Sequence, residues 1–245
     1  MGYLIHTLDS HTWLIEEEAE CNVYMYLLAG DQEAVLLDTG YGTIALDEIV
    51  ASLIGLPVSV LCTHGHFDHI GGNGYFAHVM MHKADRDLYH QHGLEVKKIM
   101  PNATAPKSAE ELDWFEGSIT LDLGGRTLEV FPTPGHTRGC VAVLDVERRQ
   151  LFTGDTCCKA AVLLNFDHSA DLTTYRASIA AILEKKSRYD ITWPSHHAKP
   201  VGSEIPAQFL AASDLLLEEK ADGKEVPGMF GPAKMFAYED IVIMY

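Results

Sequence analysis

The apolar, β-branched run VSVLCT at 58–63 stops at a polar cluster, His64-Gly65-His66-Phe67-Asp68-His69, which is closed by Gly71 and Gly72. A short apolar run of this kind reads as a buried strand. A strand whose end carries three histidines and an aspartate calls for a mixed α/β fold, in which functional loops gather at strand ends. Residues at i and i+2 of an extended segment point the same way, so His64 and His66 can reach one metal ion from one side. Asp68 and His69 fall beyond a turn and face a second position nearby. Imidazole and carboxylate are common ligands for zinc, iron and manganese. The glycines allow close backbone approach or positive φ. The alternative, a solvated histidine-rich loop, rarely follows a buried apolar strand.

A metal site needs ligands from elsewhere, and three later strand ends offer them: His136 in FPTPGHT, Asp155 in LFTGDT, and His196 or His197 in WPSHHAK. The intervening chain reads as strands and helices. Segments 22–30 and 33–40 are β-rich runs joined by a hairpin-like connection. A helix is expected over 43–54, with Leu46, Ile49, Val50 and Leu53 on one face, and Pro57 ends it. A strand at VMMHK and a helix over 84–92 follow. The polar stretch 101–117 reads as the loosest part of the chain. Beyond it, LEVFPT, CVAVLDV, LFTGD and DITWP read as strands, 173–186 and 207–220 as helices, and AYEDIVIMY as a closing strand. The expectation is one domain over 1–245 with two similar halves, roughly 1–117 and 118–245.

Composition narrows the function classes. The net charge of −17, from 18 basic and 35 acidic residues, repels phosphate backbones, so nucleic acid is not an expected partner. No apolar run approaches the roughly 18 residues of a membrane span, so no membrane partner is expected. The opening MGYLIHTLDSHTWLI lacks the basic start and long apolar run of a secretory signal. Cytoplasmic placement and a small-molecule substrate are the expectations. The five cysteines (Cys21, Cys62, Cys140, Cys157 and Cys158) form no CxxC pair and read as reduced thiols. Cys157 and Cys158 read as packing residues, with a redox or soft-metal role as the alternative.

The motifs THGHFDHIGG, PTPGHT, LFTGD and PSHH, in this order, resemble the metallo-β-lactamase superfamily, and LLDTG, with Asp38 and Gly40, resembles its opening motif. The resemblance runs from about residue 20 to 200. It implies a four-layer αββα sandwich with a dinuclear site at one edge. His64, His66 and His136 would hold the first metal, and Asp68, His69 and His196 the second, with Asp155 bridging both. His196 is preferred over His197 because it matches the third position of the family's Pro-Gly-His-Gly turn; the sequence here is Pro194-Ser195-His196-His197, which departs at two positions. Asp38 would orient a ligand rather than bind metal; its alternative is a turn-making aspartate. The metals would be two divalent ions, zinc by default, with iron or manganese as alternatives.

The resemblance also implies a reaction class. A hydroxide shared by two metals exists at neutral pH and attacks a carbonyl whose oxyanion the metals stabilise. Asp68 and Asp155 are then the catalytic residues, and Asp68 can shuttle a proton. The full ligand set is similar to glyoxalase II-like thioesterases and acyl-homoserine lactonases. True β-lactamases of the family generally lack the bridging acid and are exported. Flavodiiron relatives carry Glu where His66 stands. The lactonases have a tyrosine three residues after the bridging acid, where this chain has Cys158. Glyoxalase II has a glycine- and basic-rich stretch there, where this chain reads CCKAAVLLNFDH. A small acyl thioester or ester is therefore the expected substrate, with a lactone as the alternative. A non-hydrolytic metal-binding or iron redox protein is the alternative from a different class. AVLLNF suggests a partly hydrophobic pocket, which Met229 and Phe230 could also line. His168 is a candidate substrate contact, and His82 a weaker candidate for the site. His90 and His92 are expected to be solvated.

Overall fold

The computed structural model describes residues 2–228 and 231–245; Met229 and Phe230 lie outside the described residues. The fold is mixed α/β, with several sheets and, among the described residues, five α-helices. The chain forms two compact units, Met1–Val130 and Phe131–Tyr245.

In the first unit seven strands lie side by side in chain order. The strands β1 (Tyr3–Asp9), β2 (Thr12–Glu17), β3 (Val23–Ala29) and β4 (Ala34–Leu37) form an antiparallel meander. The strands β5 (Val58–Leu61), β6 (Val79–His82) and β7 (Asp113–Phe115) then continue the sheet in parallel. Parallel neighbours need long crossovers. The helix α1 (Leu46–Leu53) supplies one between β4 and β5, and its Leu46, Ile49 and Val50 are buried. The short helix α2 (Phe67–Ile70) lies between β5 and β6, and α3 (Arg86–Ile99) between β6 and β7. Every residue of β3 is buried, as a central strand covered on both faces requires. Met25, Leu27, Leu36, Val60 and Val79 meet in its core. A hairpin of β8 (Ile119–Asp122) and β9 (Thr127–Pro132) turns through Gly124 and Gly125, both at positive φ.

The segment 101–117 is not loose. It holds β7 and buries Ala103, Ala109 and Leu112 in the core of the first unit. Ser108 and Glu111 form a reciprocal capping box, and Trp114 Nε1 donates to Ala109 O at 2.7 Å. Its many polar residues face outward while three small or aliphatic ones turn inward, a division that composition alone does not reveal.

In the second unit β10 (Val141–Asp145) pairs antiparallel with β11 (Gln150–Gly154). After β12 (Ala161–Leu163), helix α4 (Leu172–Glu184) crosses over to β13 (Ile191–Pro194), which lies parallel to β11. The short β14 (Val201–Gly202) closes that edge, and α5 (Ile205–Leu217) follows. A second sheet contains β15 (Lys224–Gly228), β16 (Gly231–Tyr238) and β17 (Ile241–Met244), with β12 parallel to β17. AYEDIVIMY is thus two strand pieces rather than one, because the chain reverses at Glu239, which holds a positive φ of 48°. Tyr175, Ile179, Phe209 and Ile243 fill the core. Among the described residues no helix is long and apolar enough to cross a membrane.

The cysteines are thiols rather than disulfides; Cys21 is exposed and the other four are buried. Burial raises the pKa of Cys62 and of Cys157, and the nearby Asp38 and Cys158 add to it respectively. A thiol reagent needs the thiolate. The native protein is therefore expected to release colour from about one thiol per chain in an Ellman titration and from all five after unfolding. Rapid reaction of three or more native thiols contradicts this burial.

Candidate metal centre

The first cluster of candidate ligands begins where the parallel ladder ends. Cys62 N still donates to Met80 O at 2.9 Å, and the chain then leaves the sheet. Asp38, at the end of β4 and at a positive φ of 62°, directs its buried carboxylate into this turn. It accepts from Thr63 N at 2.6 Å, Thr63 Oγ1 at 2.8 Å and His69 Nδ1 at 2.8 Å. That contact places the His69 proton on Nδ1 and leaves Nε2 bare. The Thr63 hydroxyl proton is engaged by Asp38, so its oxygen accepts from His64 Nδ1 at 3.1 Å, and Nε2 of His64 is bare as well.

These tautomers aim lone pairs at shared positions. His64 Nε2 and His66 Nδ1 lie 3.1 Å apart with their rings 75° out of plane. Two ligands of one tetrahedral zinc are roughly 3.3 Å apart when each bond is about 2.05 Å. Without an ion, a proton on His66 Nδ1 closes the same contact. His69 Nε2 lies 3.7 Å from Asp68 Oδ2 and forms a second pair. The His64 and His69 ring centroids are 4.0 Å apart, so the two pairs are adjacent.

Backbone contacts hold this cluster. Gly71 N donates to Gly40 O at 2.9 Å, and a Cβ at Gly71 would meet Tyr41 O at 2.2 Å. Close approach is therefore what requires that glycine. Glu17, which the sequence did not single out, is buried behind the same loop. Its carboxylate accepts from Tyr41 N at 2.7 Å, Thr43 N at 3.1 Å and the Thr43 hydroxyl. Burial raises its pKa, against the lowering effect of those donors.

The second unit carries three candidates. His136 Nδ1 donates to Leu163 O at 2.8 Å, which again leaves Nε2 bare. Asp155 follows Gly154, the last residue of β11, where φ is 52°. Its Oδ2 lies 3.5 Å from His136 Nε2 and 3.6 Å from His196 Nε2. One carboxylate oxygen thus stands between two imidazole nitrogens. Ser195 N donates to Gly154 O at 3.1 Å, tying the His196 turn to the Asp155 turn. His196 is buried, whereas His197 is exposed at a positive φ of 68°.

The other histidines divide differently from expectation. His168 stacks on Phe166 (4.8 Å, 15°), whose ring meets His136 edge-on at 5.8 Å. His82 packs edge-on against Phe115 at 5.5 Å. His90 is exposed. His92 is not solvated: it is half-buried and stacks on His66 at 5.1 Å with 22° between planes. The reason is that α3 runs on to Ile99 and packs against α2 instead of ending near 92. Burial lowers the His92 pKa, opposed by Glu95, Asp68 and Asp85. AVLLNF contributes Leu164 to the wall of a recess and also builds the core. Val162 and Leu164 pack into the core, and the backbone of Leu163 supports His136. An open recess of about 610 Å³ is lined in part by Pro134, Arg138, Leu164 and Thr174.

Groups of His and Asp side chains that could hold a metal ion draw on His64, His66, Asp68, His69, His136, Asp155 and His196. The donors fit a divalent ion: every one is an imidazole or a carboxylate, and three of the imidazoles have their tautomer fixed by a second partner.

Known proteins resemble this chain. The family described as "Metallo-beta-lactamase superfamily" matches residues 19–196. An uncharacterized protein of Mycobacterium tuberculosis is 33% identical over 159 residues, covering 58% of this chain and 70% of that protein. A Bos taurus protein named acyl-coenzyme A thioesterase MBLAC2 is 29% identical over 178 residues, covering 60% of this chain and 63% of its own length. A Bacillus subtilis protein named probable metallo-hydrolase YybB is 33% identical over 151 residues, covering 59% and 60%. The solved DIM-1 metallo-β-lactamase shares the fold with a TM-score of 0.68 at 17% identity, over 87% of this chain and 98% of that one.

Proposed function

Because this chain belongs to the metallo-β-lactamase superfamily, we propose that its two ligand clusters form one dinuclear centre that hydrolyses small acyl thioesters. That the chain is a hydrolase of this superfamily is the premise; the substrate and the number of ions are the proposal. One position takes His64, His66 and His136, the other takes Asp68, His69 and His196, and Asp155 serves both. The observation that carries this reading is the Asp155 Oδ2 atom, 3.5 and 3.6 Å from the Nε2 atoms of His136 and His196. Divalent ions bound there, with zinc as the default, supply an activated water near neutral pH and polarise a carbonyl.

The chain's own groups do the rest. Asp38, Thr63 and Leu163 hold three imidazoles in the tautomer that presents Nε2. The Asp68 side chain keeps 16% exposure while its Oδ2 faces His69, so it can receive a proton at the solvent edge. The recess beside the His136 turn combines the apolar Pro134 and Leu164 with the cationic Arg138, a mixture suited to an acyl group on a polar carrier. The thioesterase named among the relatives supports the same substrate class. The proposed setting is the cytoplasm, with a small molecule as partner and neither nucleic acid nor membrane.

The test combines metal analysis by mass spectrometry with a panel of acyl thioesters, lactones, β-lactams and phosphodiesters. About two transition-metal ions per chain and saturable hydrolysis of thioesters above the other classes are expected. A protein that takes up no metal after reconstitution sinks the centre. Preferred hydrolysis of lactones replaces the substrate class and leaves the centre standing.

A further inference from the structure

His92 lies 26 residues beyond His66 in the sequence and belongs to no motif, yet its ring covers that of His66. The two contacts of His66 differ in kind. Toward His64 the rings are edge-on, and ring nitrogens 3.1 Å apart converge. Toward His92 the planes are 22° apart and the ring centres 5.1 Å apart, so faces meet. Imidazole lone pairs lie in the ring plane, and a stacked partner therefore offers its face rather than a ligand atom. Phe67 continues the row, with its ring 6.1 Å from His92 and 5.9 Å from Tyr41.

The same helix also grips the backbone beside His66. Asp85, the N-cap residue of α3, is buried and accepts from Gly65 N at 2.9 Å. A Cβ at Gly65 would come within 3.2 Å of Tyr89 N. Helix α3 thus approaches the His64-Gly65-His66 segment closely along its backbone and, one turn further, along a ring face.

We propose that His92 is a positioning residue that fixes the ring orientation of His66 by stacking on it. The inference rests on the reading that His66 is a metal ligand. A histidine free to rotate about χ2 loses the alignment of Nδ1 with His64 Nε2, and the ring that covers it removes that freedom. Partners that orient a ligand are worth roughly 10–100-fold in metal affinity.

The experiment compares the wild-type protein with His92→Ala, His92→Phe and His66→Ala. Zinc affinity is measured by competition with a chromophoric chelator, and the cobalt(II) form is examined by visible absorption. His92→Ala is expected to weaken zinc about tenfold and to shift the cobalt bands. His92→Phe keeps a flat ring, so affinity within about twofold of wild type and wild-type bands are expected. Wild-type affinity and spectrum in His92→Ala overturn the proposal, as does a His92→Phe variant as impaired as His92→Ala. His66→Ala separates the two levels. If it binds metal as the wild type does, the ligand reading of His66 fails; if it loses metal while His92→Ala does not, only the positioning role fails.

Discussion

Asp155→Ala is expected to lower kcat/KM for the hydrolysed substrate by on the order of 10³-fold and to reduce bound metal from about two ions per chain to at most about one. The size follows from what the residue does in the proposed centre. A metal contributes several kcal/mol of charge stabilisation, and each 1.36 kcal/mol is tenfold in rate. Asp155 Oδ2 is the atom common to the His136 and His196 contacts, so its removal strips a ligand from both positions at once. The fold is expected to survive, because the side chain retains 18% exposure in a turn beyond β11 and is no part of the core. Thermal unfolding within a few degrees of wild type, together with loss of metal, separates this outcome from misfolding. Asp155→Asn keeps the shape and one acceptor oxygen but not the charge, and is expected to fall between the two. Near-normal turnover in Asp155→Ala abandons the dinuclear mechanism.

The candidate ligands stand out in the sequence because metal chemistry is local: it needs particular side chains at strand ends, and HxHxDH offers four of them within six residues. What orients them was less legible. Asp38 could be picked out because it stands in a motif. Leu163 could not, since the group that fixes His136 is a backbone carbonyl, which every residue has. Glu17 is one of three consecutive glutamates, and only the sheet decides that its side chain turns inward beneath the Tyr41–Thr43 loop. His92 and the segment 101–117 share another cause. Each looks polar as a stretch, whereas burial is decided residue by residue through packing between elements distant in the sequence. The strand order of the first unit's sheet is the simplest possible, because consecutive elements are usually neighbours and its seven strands follow chain order.

Arg126 is the residue that sequence reasoning had least means of finding, and it carries the largest expected effect on stability. Arginine is almost never fully buried without partners, yet Arg126 is 1% exposed. Its Nη1 donates to His11 O at 2.7 Å and to Ala29 O at 3.0 Å, and its Nη2 to Thr12 Oγ1 at 3.0 Å. These bonds fasten the β8–β9 hairpin to β2 and β3 and complement the backbone contacts of its turn, Asp31 N to Gly124 O at 2.7 Å and Gln32 N to Leu123 O at 3.0 Å. Arg126→Ala leaves buried acceptors without this donor and opens a cavity of side-chain size. Each buried acceptor left unsatisfied costs about 1–3 kcal/mol, so the loss of these three bonds costs at least about 3 kcal/mol in total. For a chain of this length that is a fall of roughly 10 °C in the unfolding midpoint. Arg126→Lys keeps the charge but not the planar fork and is expected to lose less. Arg176, whose Nε meets Asp214 Oδ1 at 2.8 Å with both side chains about 40% exposed, provides the contrast. Its pair spans α4 and α5 in solvent, and Arg176→Ala is expected to leave the midpoint within error. If Arg126→Ala melts as Arg176→Ala does, burial and donor geometry are not what hold the hairpin in place.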